Sequence, residues 1–379
     1  MKKILIVGAG ITGLMIKNRL DALGDTSILC EQANTLRAEG AGLLLGANVV
    51  KIFKEIGLSN ELLSKSHVVD TIESQDKDSN LLGKLDLKKV YKDSGYQTLT
   101  IHRQDLFDIL SNSIDKESIL LSHKLIFIDK LKDGYKVYFE NGKVEEFSKI
   151  IATDGLYSRV KKLTFMDEEL RHTNQACWRF VVETPNKINN SVCCEMWGDE
   201  KRVGIFPLSN NKTYCFLVST MQGGEEKLSS KEVISKFNEF GGEWLKIKSV
   251  LDLLNTKFLY GELSDAKNIT LQKDGIVFMG DAAHSTTPNM GQGAAMGIES
   301  AYIFSELLKN NSFNFDKAVS LYEKQRYDRV HSIREKSMAL GKIAHVKSKT
   351  LQRIRNYVLK VIPDFLTQKE FEKAIFTQS

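Results

Sequence analysis

The sequence predicts an α/β chain with three parts: a discontinuous nucleotide-binding domain, a second domain built on antiparallel sheet, and a C-terminal helical segment. Three observations carry this expectation. Near the N-terminus, "KKILIVGAGITGLMIKNRLDALG" reads as a buried strand, a glycine turn and a helix. Between about residues 125 and 220, apolar and polar residues alternate in short runs, the first of them separated by Asp-Gly and Asn-Gly pairs. From residue 296 onward the apolar residues recur with the period of a helix.

The first of these predicts a strand at Lys3–Val7, a turn, and a helix to about Leu23. Gly8, Gly10 and Gly13 have GxGxxG spacing. The first glycine allows a tight turn, the second lets backbone approach a pyrophosphate, and the third lets helix lie close on strand. Free N–H groups and the helix dipole then favour phosphate charge. A second strand, "SILCE", ends in Glu31, 18 residues beyond Gly13, where a carboxylate meets ribose hydroxyls. An acid there implies adenosine ribose with free hydroxyls, as in FAD or NAD. Further on, "LRAEGAGLLLGAN" offers Gly40-Ala41-Gly42 for a close approach of backbone to a flat ligand, and Arg37 as a phosphate contact. A bare surface arginine is the alternative for Arg37.

The middle of the chain reads as strands at Leu125–Leu131, Tyr135–Phe139 and Val144–Ser148, with Asp133-Gly134 and Asn141-Gly142 as hairpin signals. A second set follows at Gln175–Glu183, Val192–Trp197, Lys201–Leu208 and Thr213–Thr220, with 70–97 adding an edge. By period two, Arg202, Gly204 and Phe206 share a face, as do Tyr214, Phe216 and Val218 on the next strand. The adjacent Cys193 and Cys194 should point to opposite faces. Helical periodicity marks 230–254.

Composition narrows the function classes. With 42% hydrophobic and 27% charged residues, the chain reads as soluble and globular. A net charge of +5 suits an anionic ligand but gives no basic run for nucleic acid. The five cysteines have no metal-ligand spacing, so no metal site is expected, and their scatter suits a reducing compartment. The N-terminal lysines and apolar run resemble a signal peptide, but the glycine spacing and missing cleavage site argue against one. No stretch reaches transmembrane length. A cytoplasmic protein is expected.

Taken in order, GAGITG, CEQ, LRAEGAGLLLGAN, IHRQDLFDIL, ATDGLYSRVKK and GDAAHSTTPNMGQGAAMGIESA resemble the single-component FAD-dependent aromatic monooxygenases. That family includes para-hydroxybenzoate hydroxylase, salicylate hydroxylase and urate hydroxylase, and the motif form is nearest to urate hydroxylase and zeaxanthin epoxidase-like members. The resemblance implies a Rossmann-like FAD-binding domain with non-covalent FAD held by Gly8, Gly10, Gly13, Glu31, Arg37, Gly42, Arg103, Asp154, Asp281, Gly291, Gly293 and Ala294. The same resemblance implies a partition of 1–69, 98–165 and 270–345 for the nucleotide-binding domain, 70–97 and 166–269 for the sheet domain, and 346–379 for the C-terminal helices. Asp281 would bind the ribityl chain, and the turn at 291–293 would open a helix whose positive end faces the flavin ring. Pro288 and Asn289 would lie beside the ring's reactive edge, and His284 reads as structural. Thr153 and Lys161 depart from the family pattern near Asp154 and bear on nicotinamide use.

By the same resemblance, Arg202 and Tyr214 are candidate pocket residues, and with Pro288 they form the candidate catalytic set; Arg179 is a further candidate. The alternatives are a solvated arginine and a core aromatic. Asn289 stands where a urate-type site places an aspartate, so substrate identity does not transfer. The implied function is NAD(P)H-dependent hydroxylation or epoxidation of an electron-rich small molecule through a flavin C4a-hydroperoxide, with dioxygen as co-substrate. A flavin-dependent reductase of the same fold and a non-catalytic FAD-binding protein are the rivals. NADH against NADPH and the oligomeric state stay open.

Overall fold

The structure, a computed structural model, describes residues 3–38, 40–165, 169–252 and 255–375. The end of the predicted 230–254 helical stretch, at 253–254, lies outside the described residues. The chain divides into two compact units. One comprises residues 1–38, 106–171 and 264–337, and the other 39–105, 172–263 and 338–379.

The first unit is organised by a six-stranded sheet with Ile4–Val7 near its centre. Ile4–Val7 pairs in parallel with Lys149–Ala152 on one side and Ile28–Cys30 on the other. Leu5, Ile6, Ile150 and Ile151 are fully buried, as both faces of a parallel sheet require. The helix Ile11–Ala22 follows the glycine turn and packs against the helix Gly293–Asn310. That approach is close: a β-carbon on Gly297 would lie 2.2 Å from the Thr12 hydroxyl. Several buried charges in this unit are paired. Glu299 binds Arg326 at 2.9 Å and Arg329 at 2.5 Å, and Asp265 accepts from Arg171 at 2.7 and 2.9 Å. The antiparallel Leu125–Leu131, Gly134–Phe139 and Val144–Phe147 form a separate three-stranded sheet, turning at the expected Asp-Gly and Asn-Gly pairs.

The second unit holds a seven-stranded sheet ordered Leu259–Ala266, Leu170–Glu183, Lys212–Thr220, Lys201–Leu208, Val192–Trp197, Thr71–Asp76 and Leu81–Asp86. From Leu170–Glu183 to Leu81–Asp86 its pairings are antiparallel apart from Val192–Trp197 beside Thr71–Asp76. The expected 70–97 edge supplies two strands and the helix Leu87–Ser94, whereas Leu259–Ala266 at the opposite edge carries no alternation that marked it as a strand. Residues 39–69 and 98–105, grouped by sequence with the nucleotide-binding segments, belong to this unit. Gly42–Leu45 and Ser66–Val69 both pair with Thr98–His102, and the Thr100 hydroxyl donates to the Pro207 carbonyl. From Met338 the C-terminal helices also join it, Lys349–Val361 and Asp364–Ile375 lying against Leu81–Asp86.

This sheet has two unlike faces. Val203, Ile205, Cys215, Leu217, Trp178 and Cys194 point to the side covered by the helices Ser230–Lys236 and Gly242–Val250, where Phe237, Phe240 and Trp244 complete an apolar core. Cys193 points the other way, into a cluster with Leu44 and Val90, as alternation requires. All five cysteines are free and buried. The Trp244 indole N–H donates to the Phe237 carbonyl at 2.9 Å, which satisfies the one polar atom of this core side chain. Trp244→Ala should cost about 3–5 kcal/mol in urea unfolding, through the cavity it leaves.

Candidate active site

In the first unit the glycine turn is held from three sides. Gly8 has φ +98°, a left-handed conformation that side chains resist, and its N–H donates to the Cys30 carbonyl at 2.8 Å. A β-carbon on Gly13 would sit 1.9 Å from the Gly8 carbonyl oxygen. The Thr153 hydroxyl lies 2.8 Å from both the Val7 and Gly8 carbonyl oxygens, a shared donor that ties the neighbouring strand to the turn. The departure at Thr153 therefore has a structural account. Glu31 accepts from the Ala9 and Ala33 N–H groups, each at 2.9 Å, one on each carboxylate oxygen. A carboxylate has about four lone-pair sites, so this leaves acceptor capacity.

Gly10 caps the helix Ile11–Ala22 with no side-chain partner, and a β-carbon on it would meet nothing within 4 Å. The turn is thus a bare helix N-terminus facing open space, the arrangement that suits a phosphate group. Arg37 is exposed. Asp154 accepts from the Ser158 hydroxyl at 2.7 Å and the Val160 N–H at 2.9 Å, and burial pushes its pKa up. Lys161 is buried, its ammonium 5.8 Å from the Phe278 ring centre.

Two strands away in the same sheet, Ile276–Phe278 leads into Gly280 (φ +59°), which packs against Thr12, and then into the exposed Asp281. His284 is buried, 2.9 Å from the Ser300 hydroxyl, and burial lowers its pKa to about 3. A neutral, enclosed imidazole fits the structural reading. Pro288 is exposed, while the Asn289 amide donates to the Thr287 hydroxyl at 3.0 Å and the Ser337 carbonyl at 2.8 Å. Asn289 thereby fastens the turn Pro288–Met290, a role the sequence did not signal because Ser337 is 48 residues away. Gly291 is left-handed, and Gly293 and Ala294 open the helix Gly293–Asn310, which has no side-chain cap. The Gln292 side chain just before it is buried, with its carbonyl oxygen unsatisfied.

In the second unit the candidate pocket residues lie on the face of the seven-stranded sheet opposite the Trp244 core. Register sets Arg202 opposite Val218, Gly204 opposite Phe216 and Phe206 opposite Tyr214; on the next strand Arg179 lies opposite Phe216. Opposed residues share a face. Phe206, Tyr214 and Phe216 form a ring cluster with centres 5.6 to 6.2 Å apart. The Phe216 ring fills the space where Gly204 lacks a side chain, and the Tyr214 ring does the same at Gly42. Tyr214, not only a ligand, is therefore what approaches the Gly40–Gly42 backbone. Arg103 threads past Gly40, where a β-carbon would sit 2.3 Å from its Cδ.

The two arginines of this face differ sharply. Arg202 is buried, ion-paired to Glu195 at 3.1 Å and hydrogen-bonded to His345 Nε2 at 2.9 Å. Arg179 is half-buried and its Nε is enclosed with no hydrogen-bond partner. The Tyr214 hydroxyl makes no hydrogen bond to a described residue, and burial pushes its pKa well up, so it stays a donor. Arg202 and Tyr214 are candidates together through the family resemblance of their strands, with Arg179 a weaker third. The sequence has no signal for His345, which is 143 residues away and neutralises nothing but occupies the guanidinium. Among the described residues, no His, Cys, Asp and Glu cluster is arranged to hold a metal.

The FAD-binding domain family model matches residues 1–311. The chain belongs to that family. It is 25% identical over 382 aligned residues to 2-heptyl-3-hydroxy-4(1H)-quinolone synthase of Pseudomonas aeruginosa, covering 99% of this chain and 97% of that protein. It is 27% identical to 6-hydroxynicotinate 3-monooxygenase of Bordetella bronchiseptica, covering 88% and 90%. Klebsiella pneumoniae HpxO, solved with FAD and uric acid, has the same fold, with TM-score 0.88, 21% identity, and 99% and 96% of the two chains covered. The protein is an FAD-dependent monooxygenase of this family, and these relatives set aside the reductase reading.

Two measurements check this description. Thr153→Val should lower unfolding free energy by about 1–3 kcal/mol, since the Gly8 carbonyl loses the hydroxyl donor while Val7 keeps the Thr153 N–H. Stability should also fall on acidification below about pH 6.5, because His284 and His345 protonate when unfolded but are held near 3 and 2 when folded. Each contributes about 1.4 kcal/mol per pH unit in that window, so His284→Asn should flatten the urea-midpoint profile between pH 6.5 and 4.

Proposed function

We propose that this monooxygenase hydroxylates a flat heteroaromatic ring bearing an ionisable oxygen or acidic ring N–H. The observation that carries the reading is the free Arg179 guanidinium nitrogen on the same sheet face as the unbonded Tyr214 hydroxyl and the Phe206 and Phe216 rings. An enclosed cationic donor without a partner is costly, and a substrate oxyanion relieves that cost. The rings offer flat apolar surface beside it, and the Tyr214 O–H adds a directed donor. Arg202, already satisfied by Glu195 and His345, fixes the sheet face and positions its neighbours.

The first unit's residues fit FAD. Gly8, Gly10 and Gly13 with the uncapped helix start suit the pyrophosphate, Glu31 retains acceptor sites for ribose hydroxyls, and exposed Asp281 suits the ribityl chain. Arg37 and Asp154 are further cofactor contacts. Gly291, Gly293 and Ala294 line a second uncapped helix start, whose N–H groups and dipole favour negative charge developing on a bound ring. Bound FAD supplies the electron transfer from reduced nicotinamide and the activation of dioxygen. Pro288, exposed on a turn that Asn289 holds rigid, gives an apolar wall beside the reacting edge and helps exclude water. We place the reaction in the cytoplasm, where reduced nicotinamide is supplied and free thiols persist.

The test is the anaerobic rate of flavin bleaching by NADH and by NADPH, with and without hydroxypyridines, quinolones and hydroxybenzoates. A heteroaromatic that accelerates bleaching and is recovered hydroxylated in air supports the reading; acceleration by none of them removes it. Arg179→Met should raise the half-saturating substrate concentration about 10- to 100-fold, with FAD content unchanged. Asp281→Ala should instead lose bound flavin, and a yellow, active variant would contradict its assigned role.

A further inference from the structure

The helix Lys349–Val361 is turned inside out. Its polar side faces the protein: Gln352 donates to the Val346 carbonyl at 2.8 Å, and Arg355 donates to the Ile343 and Ala344 carbonyls at 3.2 and 2.9 Å. The Arg355 guanidinium also lies over the Trp197 ring, 5.2 Å from its centre. Both side chains are buried. Leu359 packs inward beside Leu82 and Trp197, but the rest of the apolar side faces outward. Leu351 is 54% exposed, Ile354 53%, Val358 43% and Val361 56%, at steps of three, four and three residues that make one stripe. Tyr357 flanks it, and Phe365 and Leu366 extend the apolar surface beyond Pro363. A helix that docks only on its own domain buries its apolar stripe; this one presents it.

Charge says what covers it. From Gly341 to Pro363 the sequence has Lys342, Lys347, Lys349, Arg353, Arg355 and Lys360 and no Asp or Glu. All but Arg355 are exposed. We propose that this helix is a peripheral docking surface for an anionic lipid bilayer, lying in the plane of the interface with its stripe in the acyl boundary and its lysines and arginines among the headgroups. Apolar stripe plus basic flanks is the combination that binds anionic interfaces. No helix among the described residues is long and apolar enough to cross a membrane, so the attachment is in-plane. A second copy of the chain fits less well, because a two-fold contact through this helix brings its cations against one another with no acid on the helix to offset them.

The experiment uses the full-length, FAD-loaded protein in vesicle flotation. Vesicles of phosphatidylcholine with 30% phosphatidylglycerol should float it, vesicles of phosphatidylcholine alone should bind it at least about tenfold more weakly, and added salt should weaken the anionic binding. The triple variant Leu351→Ser, Ile354→Ser and Val361→Ser should lose flotation at least about tenfold while keeping flavin content, melting temperature and nicotinamide oxidation in solution. Arg353→Glu with Lys360→Glu should lose the preference for anionic vesicles. Absence of flotation with anionic vesicles overturns the proposal, as does a triple variant that floats like the parent. A parent that is dimeric by light scattering, does not float, and becomes monomeric in the triple variant replaces the bilayer with a second copy.

Discussion

The fold of the first unit depends on one crowded junction, where the Gly8 carbonyl, the Gly13 α-carbon and the Thr153 hydroxyl occupy almost the same space. The Gly13 position leaves no room for a side chain beside the Gly8 oxygen, so strand and helix meet at backbone contact. Thr153 then ties that contact to the adjacent parallel strand. The helix start behind Gly10 is aimed by this junction and by nothing else in its own turn, since no side chain caps it. A bare helix end is affordable only where a ligand or solvent takes its N–H groups. The same logic recurs at Gly293, where the helix start again has no side-chain cap.

In the second unit the controlling constraint is the period of a strand. Alternation sends one set of side chains into the Trp244 core and the other to a face that mixes aromatic rings with two arginines. Burial on the first side fixes register, and register fixes which residues share the second side. The chemistry of that face is then sorted by partners rather than by position. Arg202 has an acid and an imidazole within hydrogen-bond reach, whereas the Arg179 Nε has none.

Much of this was legible in the sequence because it is written in local periods. The glycine turn, Glu31, the Asp-Gly and Asn-Gly hairpins and the strands at 125–131, 192–197 and 201–208 all follow from spacing within a few residues. Leu259–Ala266 was not legible, because an edge strand with Gly261, Glu262 and Asp265 lacks the alternation that marks a half-buried one. Nor were the pairings of Arg202 with His345 or Asn289 with Ser337, which join residues that only the folded chain brings together. The grouping of 39–69 with the sheet unit was hidden for the same reason: its strands find their partner at Thr98–His102.

The five enclosed cysteines bear on how such an enzyme ages. A flavin that meets dioxygen without delivering its oxygen releases peroxide, and peroxide attacks thiolates. Burial raises the pKa of Cys30, Cys177, Cys193, Cys194 and Cys215 alike, which keeps each sulfur protonated as well as enclosed. The chain thus carries its thiols in the one chemical state that its own side product attacks slowly. Oxidation of these thiols should therefore begin when the fold opens, so their loss follows the unfolding of the chain rather than its turnover.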